Sequence, residues 1–384
     1  MPHRNHWPAR LENTAFSFRG YNVENLGRTP ELLEHPAYGA IVRDALAEAS
    51  AVCAETIGRK VDLVARVRNR QETTGLATYA EDVALIVAVE MAQLRLLQQF
   101  FGVSLGNAKL VFGYSLGEAA ALIATGVYAL PDLLRLPLLF ADDCVELAHD
   151  VTMGVLFSRG ATLDTTAVER LCLQITQQGK GVLAISTYLA PNTLLLLGQG
   201  GTVDECKVRL QKVLPEPFQI RKNQHRWPPM HTPIMWQRCV SDRAAVQLQT
   251  LPGGFVAPKP PIISGVTGRP SYTDHNSREL MHLWVDHPQR LWDVVYHTLA
   301  SGVDVVVHVG PSPNLIPATF KRLSDNVQAQ LAGRGFRNFS LRTVSRIVRR
   351  PWLNHLLARR TALLRAPFVE HIILEDWLLE QKVA

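Results

Sequence analysis

The sequence predicts an α/β fold: a core built on a parallel sheet, a ferredoxin-like (βαββαβ) insertion, and a helical C-terminal tail. Three observations carry this. Leu110 to Phe112 and Val303 to Val309 are short, largely apolar runs closed by glycine, the pattern of strands buried on both faces. Between them, residues 153 to 224 change to a self-contained β-α-β-β-α-β order. After Leu331 an Arg-rich linker, GRGFRNFSLRTVSRIVRR, leads into two amphipathic segments.

Taken in order, Ala15 to Phe18 is an apolar strand followed by the turn Arg19-Gly20-Tyr21-Asn22. LLEHPAYGAIVRDALAEASAVCAE reads as helical, and a helical pattern resumes from Tyr79 to Phe101. Leu130 to His149 is helical in composition, with Pro137 kinking it or ending its first part. The insertion reads as strand Met153–Ser158, helix Thr165–Gln178, strand Gly181–Thr187, strand Thr193–Leu197, helix Val203–Val213 and strand Phe218–Lys222. Core strands resume at Pro261–Ser264 and Val303–Val309. The domains expected are a core from 1–150 and 226–330, an insertion at 151–225, and a tail at 331–384. In the tail, Trp352, Leu353, Leu356, Leu357, Leu363 and Leu364 recur at helical spacing, as do Val369, Ile372, Ile373, Trp377 and Leu378. Two readings stay open: a helical hairpin packed on its own domain, or a docking element for an acidic partner such as a synthase, steered by Arg334, Arg337, Arg342, Arg346, Arg349 and Arg350.

Composition narrows the function classes. With 47% hydrophobic and 19% charged residues the chain is an ordinary globular protein. The longest apolar stretch, Val83 to Leu97, is interrupted by Glu90, Gln93 and Arg95, which suits a buried helix and predicts no membrane span. MPHRNHWPARLEN lacks an apolar signal core, so a cytoplasmic location is expected. The five cysteines are scattered and suggest neither disulfides nor zinc. Net charge is +6, and residues 331 to 384 hold ten Lys or Arg against four Asp or Glu, so the excess belongs to the tail. Despite a pI of about 9.1, no nucleic-acid motif, metal cluster or dinucleotide constellation accompanies it.

The chemistry points to Lys109–Thr125, KLVFGYSLGEAAALIAT. It reads as strand, turn, helix, with Ser115 at the turn and Gly113 and Gly117 two residues to either side. In this G-x-S-x-G spacing small neighbours permit a sharp, strained turn that exposes the hydroxyl, and the helix N-terminus offers its free amides to a developing oxyanion. A serine needs a base. Of 13 histidines, His231 in RWPPMHTPIM is flanked by prolines that hold the backbone in place, which suits a general base.

Gly113-Tyr114-Ser115-Leu116-Gly117-Glu118, then His231-Thr232-Pro233-Ile234-Met235, then Val309-Gly310-Pro311, resemble in order and separation the GHSLGE, HSPLM-like and VGP motifs of the malonyl-CoA:acyl-carrier-protein transacylase family and of polyketide synthase acyltransferase domains. ELLEHPAYG, ISGVTGRP, HPQRLW and the ferredoxin-like insertion agree, and the likeness spans about residues 15 to 325. It implies an α/β-hydrolase-like core and ping-pong transfer: Ser115 attacks an acyl-CoA thioester with His231 as base, and an acidic acyl carrier protein's phosphopantetheine thiol then takes the acyl group. No bound cofactor is implied. The family orients its imidazole with a backbone carbonyl, which by position would come from near Arg290. The oxyanion hole would be the amides of Leu116 and Tyr21, the latter standing at the first glutamine of the family's GQGSQ motif.

Departures from the pattern bear on the substrate. Gly20-Tyr21-Asn22-Val23-Glu24 replaces GQGSQ. Malonyl-specific members carry an arginine 25 residues after the serine, and here that position is Phe140. Pro228-Pro229-Met230 matches neither the malonyl nor the methylmalonyl signature. Phe140 and Met230 therefore predict an apolar pocket preferring an uncharged acyl group. Tyr114, in place of the usual histidine beside the nucleophile, and Arg290 complete the expected substrate contacts, with a surface charge the alternative for Arg290. A thioesterase of the same fold, or a non-catalytic partner-binding relative, are the competing readings.

Overall fold

The computed structural model describes residues 7–72, 75–159, 161–215, 217–335, 356 and 360–383. Its strands are β1 (Thr14–Phe18), β2 (Leu110–Gly113), β3 (Val151–Ser158), β4 (Leu183–Ala190), β5 (Thr193–Gln199), β6 (Phe218–Lys222), β7 (Ile262–Ile263), β8 (Val305–Val309) and β9 (Glu370–Ile373). The core sheet has the order β7-β2-β1-β8-β9, and every pairing in it is parallel. Phe16 lies opposite Val111 on one side and Val307 on the other, and β1, β2 and β8 are buried throughout. That burial on both faces is why these strands read as mainly apolar runs without a polar-apolar alternation.

The helix Tyr79–Phe101 packs inside this core. It is long and apolar enough to cross a membrane by length and composition, but 72% of its most apolar window is buried within the protein. The polar residues that interrupt its sequence have definite partners: Glu90 accepts from the Arg19 amide at 2.9 Å, and Gln93 from the Gly310 amide at 2.7 Å. A buried polar group needs such a partner, and here the partners are the loops after β1 and β8.

Three local readings change. The segment beginning at Leu32 is two helices, Thr29–Glu34 and Gly39–Ile57, because His35 precedes Pro36 and is driven to an extended ψ of 129°. In residues 130 to 149 the break falls at Phe140, and Pro137 lies inside the helix Leu130–Leu139. The tail departs further: Glu370–Ile373 is not helical but forms β9, parallel to β8, followed by the short helix Leu374–Glu380. Ile372, Leu374 and Leu378 are buried against the core, and their spacing fits a strand running into a helix as well as one continuous helix. The linker arginines 337, 342, 346, 349 and 350, with Trp352, Leu353 and Leu357, lie outside the described residues, as does the side chain of Arg334.

Residues 151 to 222 form a second, antiparallel sheet in the order β4-β5-β3-β6. The helices Thr165–Thr176 and Thr202–Leu210 cover one face, where Leu156, Leu194, Leu196 and Ile220 make a separate apolar cluster. The alternate residues, Met153, Val155, Phe157, Leu195 and Leu197, face a cavity shared with the core.

Candidate active site

Ser115 stands between the end of β2 and the helix Leu116–Ala124, with φ 54° and ψ −118°. A side chain in this left-handed region is strained and persists only where packing enforces it. The packing is visible at both flanking glycines: a Cβ on Gly113 would fall 2.0 Å from the Gly117 carbonyl carbon, and one on Gly117 would fall 2.2 Å from the Phe18 carbonyl oxygen. The motif's small residues let the helix start press against β1 and β2. Glu118, buried behind the turn, accepts from Tyr272 Oη at 2.9 Å and from the Gly265 amide at 3.1 Å. Burial pushes its carboxyl up to about 7.

Ser115 Oγ lies 2.7 Å from His231 Nε2. On the far side of the ring, His231 Nδ1 lies 2.6 Å from the Trp284 carbonyl. A carbonyl can only accept, so Nδ1 carries the proton and Nε2 presents its lone pair to the serine hydroxyl. Burial pulls the imidazole down to about 4, partly offset by the Trp284 carbonyl and the charge of Asp286, so the ring is a neutral base near pH 7. The histidine is held by its backbone as well: its amide donates to the Val285 carbonyl at 2.8 Å, and Thr232 Oγ1 donates to the Pro229 carbonyl at 2.6 Å. The orienting carbonyl therefore comes from Trp284 at the end of the helix Ser277–Asp286, not from near Arg290. The Trp284 indole N–H also donates to the Ser115 carbonyl at 2.9 Å.

A cavity of about 880 Å³ opens beside the pair. Tyr21, Tyr114 and Met230 line it together with Ser115 and His231. The Tyr21 ring meets Tyr79 and Trp227 edge to face at 4.9 and 5.8 Å, and its hydroxyl donates to the Gly75 carbonyl at 3.2 Å. Tyr114 Oη is 3.0 Å from Thr187 Oγ1, so this ring reaches from the nucleophile turn to β4. The Leu116 amide, at the first residue of its helix, has no intrahelical acceptor.

Two expected contacts lie elsewhere. Phe140 is buried but is not among the described residues lining the cavity, and Arg243 stacks on its ring at 5.1 Å. Phe140 caps the helix before Ala141–Ala148, and this junction turns its ring toward Arg243. Arg290 is likewise off the cavity wall; it pairs with Asp293 at 2.9 Å and stacks on Tyr188, half exposed. Its neighbour Gln289 is closer to the chemistry, fully buried with Nε2 3.5 Å from His231 Nδ1.

Sequence reasoning missed Trp284, Gln289, Tyr79 and Trp227. Trp284 acts through its carbonyl, which every residue possesses, so no residue-type signal marks it. Tyr79 and Trp227 belong to segments far apart in the chain, and only the fold brings their rings to Tyr21.

No protein-family profile matches the chain. The malonyl CoA-acyl carrier protein transacylase of Salmonella typhimurium is 26% identical over 320 residues, 82% of this chain and 94% of that protein. Polyketide synthase GfsA of Streptomyces halstedii is 24% identical over 301 residues, 78% of this chain and 4% of that much longer protein. Among solved structures, the acyl carrier protein S-malonyltransferase of Vibrio cholerae superposes with a TM-score of 0.64 at 23% identity, covering 80% of this chain and 92% of that one. A type II polyketide synthase malonyl-transacylase solved in complex with its acyl-carrier protein, PlMCAT:AntF, gives 0.61 at 21% identity, over 80% and 92% of the two chains. A parallel core sheet and a serine strained at its strand-to-helix turn agree with these likenesses: over about four-fifths of its length the chain is similar to malonyl CoA-acyl carrier protein transacylases, and it shares the fold of the solved S-malonyltransferases.

Proposed function

We propose that the protein moves an acyl group from acyl-CoA to the phosphopantetheine thiol of an acyl carrier protein through an ester on Ser115, with an uncharged acyl group preferred. The observation that carries this is the 2.7 Å contact between Ser115 Oγ and the neutral Nε2 of His231. As Oγ bonds to the thioester carbon, His231 takes the hydroxyl proton, and collapse of the tetrahedral adduct breaks the C–S bond and returns that proton to the CoA sulfur. The carrier's thiol then attacks the ester by the same steps in reverse, regenerating Ser115. The Leu116 and Tyr21 amides are the oxyanion donors in this reading.

Support for an uncharged acyl group comes from Tyr21, Tyr79, Trp227 and Met230, which give the cavity aromatic and thioether walls beside Ser115. Phe140 supplies no cation there, although its ring is not part of the wall. Arg159, Arg221 and Arg322 stand exposed along the same cavity, placed to meet the phosphates of CoA or of the carrier's arm. The partner is proposed by analogy with the relative bound to its acyl-carrier protein.

The test is a panel of malonyl-, acetyl- and longer acyl-CoAs followed by intact mass. An acyl adduct is expected on the wild type with the uncharged donors, absent in Ser115→Ala, and discharged by a holo acyl carrier protein. Preferential loading of malonyl overturns the selectivity, and release of free acid without a carrier points to a thioesterase.

A further inference from the structure

We propose that Arg19 is a positioning residue for the oxyanion hole, and that Glu375 of the C-terminal segment braces it. This rests on the acyl-serine reading given above. The Gly20 carbonyl and the Tyr21 amide share one trans peptide, so the C=O and N–H point in opposite directions. Arg19 Nε donates to the Gly20 carbonyl at 2.9 Å, and that bond sets the direction of the Tyr21 N–H, the proposed oxyanion donor.

The rest of the guanidinium ties this peptide to its surroundings. Nη1 donates to the Pro311 carbonyl, Nη2 to Asn25 Oδ1 at 2.8 Å, and both approach the Glu24 carbonyl at 3.4 and 3.3 Å. The Arg19 amide is held by Glu90. A planar fork satisfies several acceptors at fixed angles, which a lysine cannot. Arg19 is 4% exposed, and these acceptors are uncharged oxygens. Burial draws its pKa down to about 10, while Glu90, Glu375, Glu72 and Asp82 oppose the shift and keep the group charged.

Glu375 closes the unit from outside. Its Oε1 accepts from the Ser312 amide at 2.8 Å and its Oε2 from the Arg28 amide at 2.9 Å. Ser312 follows Pro311, and Arg28 ends the loop that begins at Arg19, so one buried carboxylate joins both loops that the guanidinium links. That carboxylate is carried by the helix Leu374–Glu380, which follows β9, so the C-terminal segment braces the proposed oxyanion hole.

The experiment measures single-turnover acylation of Ser115 by intact mass in the full chain, using acetyl-CoA and octanoyl-CoA and normalising to the folded fraction from near-ultraviolet circular dichroism. Arg19→Lys is expected to slow the maximal acylation rate by about 10- to 100-fold, with half-saturation changed by less than about 3-fold, since an oxyanion donor acts on the transition state. Glu375→Gln turns one acceptor into a donor facing an N–H and is expected to slow it by about 3- to 10-fold. Wild-type rates per folded molecule in both variants, or an effect confined to half-saturation, overturn the inference. If Arg19→Lys does not fold, Glu375→Gln decides alone. A wild type that forms no Ser115 ester overturns the acyl-serine reading itself, and this inference with it, a result distinct from a wild type that acylates and variants that match it.

Discussion

Trp284 holds His231 by its backbone carbonyl, 2.6 Å from Nδ1, while its indole N–H donates to the carbonyl of Ser115 at 2.9 Å. One residue thus sets the tautomer of His231 and steadies the turn that carries Ser115. No carboxylate contacts the imidazole among the described residues. In the proposed reaction a neutral dipole is enough, because a buried carbonyl that is already oriented would stabilise a transient imidazolium without reorganisation.

Trp284→Phe separates the two roles. It keeps the carbonyl and deletes the indole donor, leaving the Ser115 carbonyl without that bond. The expected loss is about 1 kcal/mol of stability and a similar size of effect on the acylation rate, roughly 3- to 10-fold. Thermal unfolding and single-turnover kinetics measure the two separately; an unchanged rate would show that the indole steadies nothing in the transition state.

His231→Ala and Ser115→Ala remove the pair itself. Each is expected to lower acyl transfer by roughly 10⁴-fold or more, and the double variant by about the same amount as either single one, because the residues act as a unit. Steady-state transfer to a carrier protein checks this, and additive losses would contradict it.

The pH profile follows from burial. The folded-state pKa of His231 is drawn down to about 4, below the ordinary 6.5, so the base form persists through weak acid and protonation sets in only as pH falls toward 4. The acid limb of kcat/KM is therefore expected well below 6.5. In linkage terms the unfolded chain binds this proton first, so the depressed His231 weakens the fold as pH falls through 6.5 toward 4. His308 and His371, also shifted down by burial, act in the same direction. Asp82 and Glu118, raised to about 6 and about 7, act in the opposite direction over much of the same range. Kinetics therefore give the cleaner measurement, and a limb centred near 6.5 would show that the imidazole is solvated in the working enzyme.

Phe140→Arg tests the substrate argument. The ring lies under Arg243 and off the cavity wall, so a guanidinium there would meet a like charge in a buried place instead of a substrate carboxylate. The expected outcome is destabilisation by about 2 to 4 kcal/mol with no gain of malonyl loading. Efficient malonyl loading by a folded variant would show that the side chain can reach the cavity after all.

Leu378→Ala probes the tail. Leu378 is fully buried in the closing helix, and the Tyr38 hydroxyl donates to its carbonyl. Loss of the side chain is expected to lower stability by about 2 to 5 kcal/mol, measured by denaturant unfolding, and a surface-like effect below about 0.5 kcal/mol would place the segment outside the core.

The sequence by itself determined what is written locally: a strand, a turn of small residues and a helix around Ser115, the proline-framed His231, and the strands whose burial on both faces leaves mainly apolar runs. Those signals are short-range, because steric freedom at Gly113 and Gly117 and the periodicity of an element depend on near neighbours. The tertiary structure alone decided which carbonyl orients His231, since a backbone oxygen has no residue type. It alone showed that Glu370–Ile373 is a strand, because four residues become one only when a partner such as β8 supplies the hydrogen bonds. It also turned Phe140 away from the cavity, a direction set by the junction of two helices and the guanidinium of Arg243. Counting 25 residues from the serine located the position, while packing set where its side chain points.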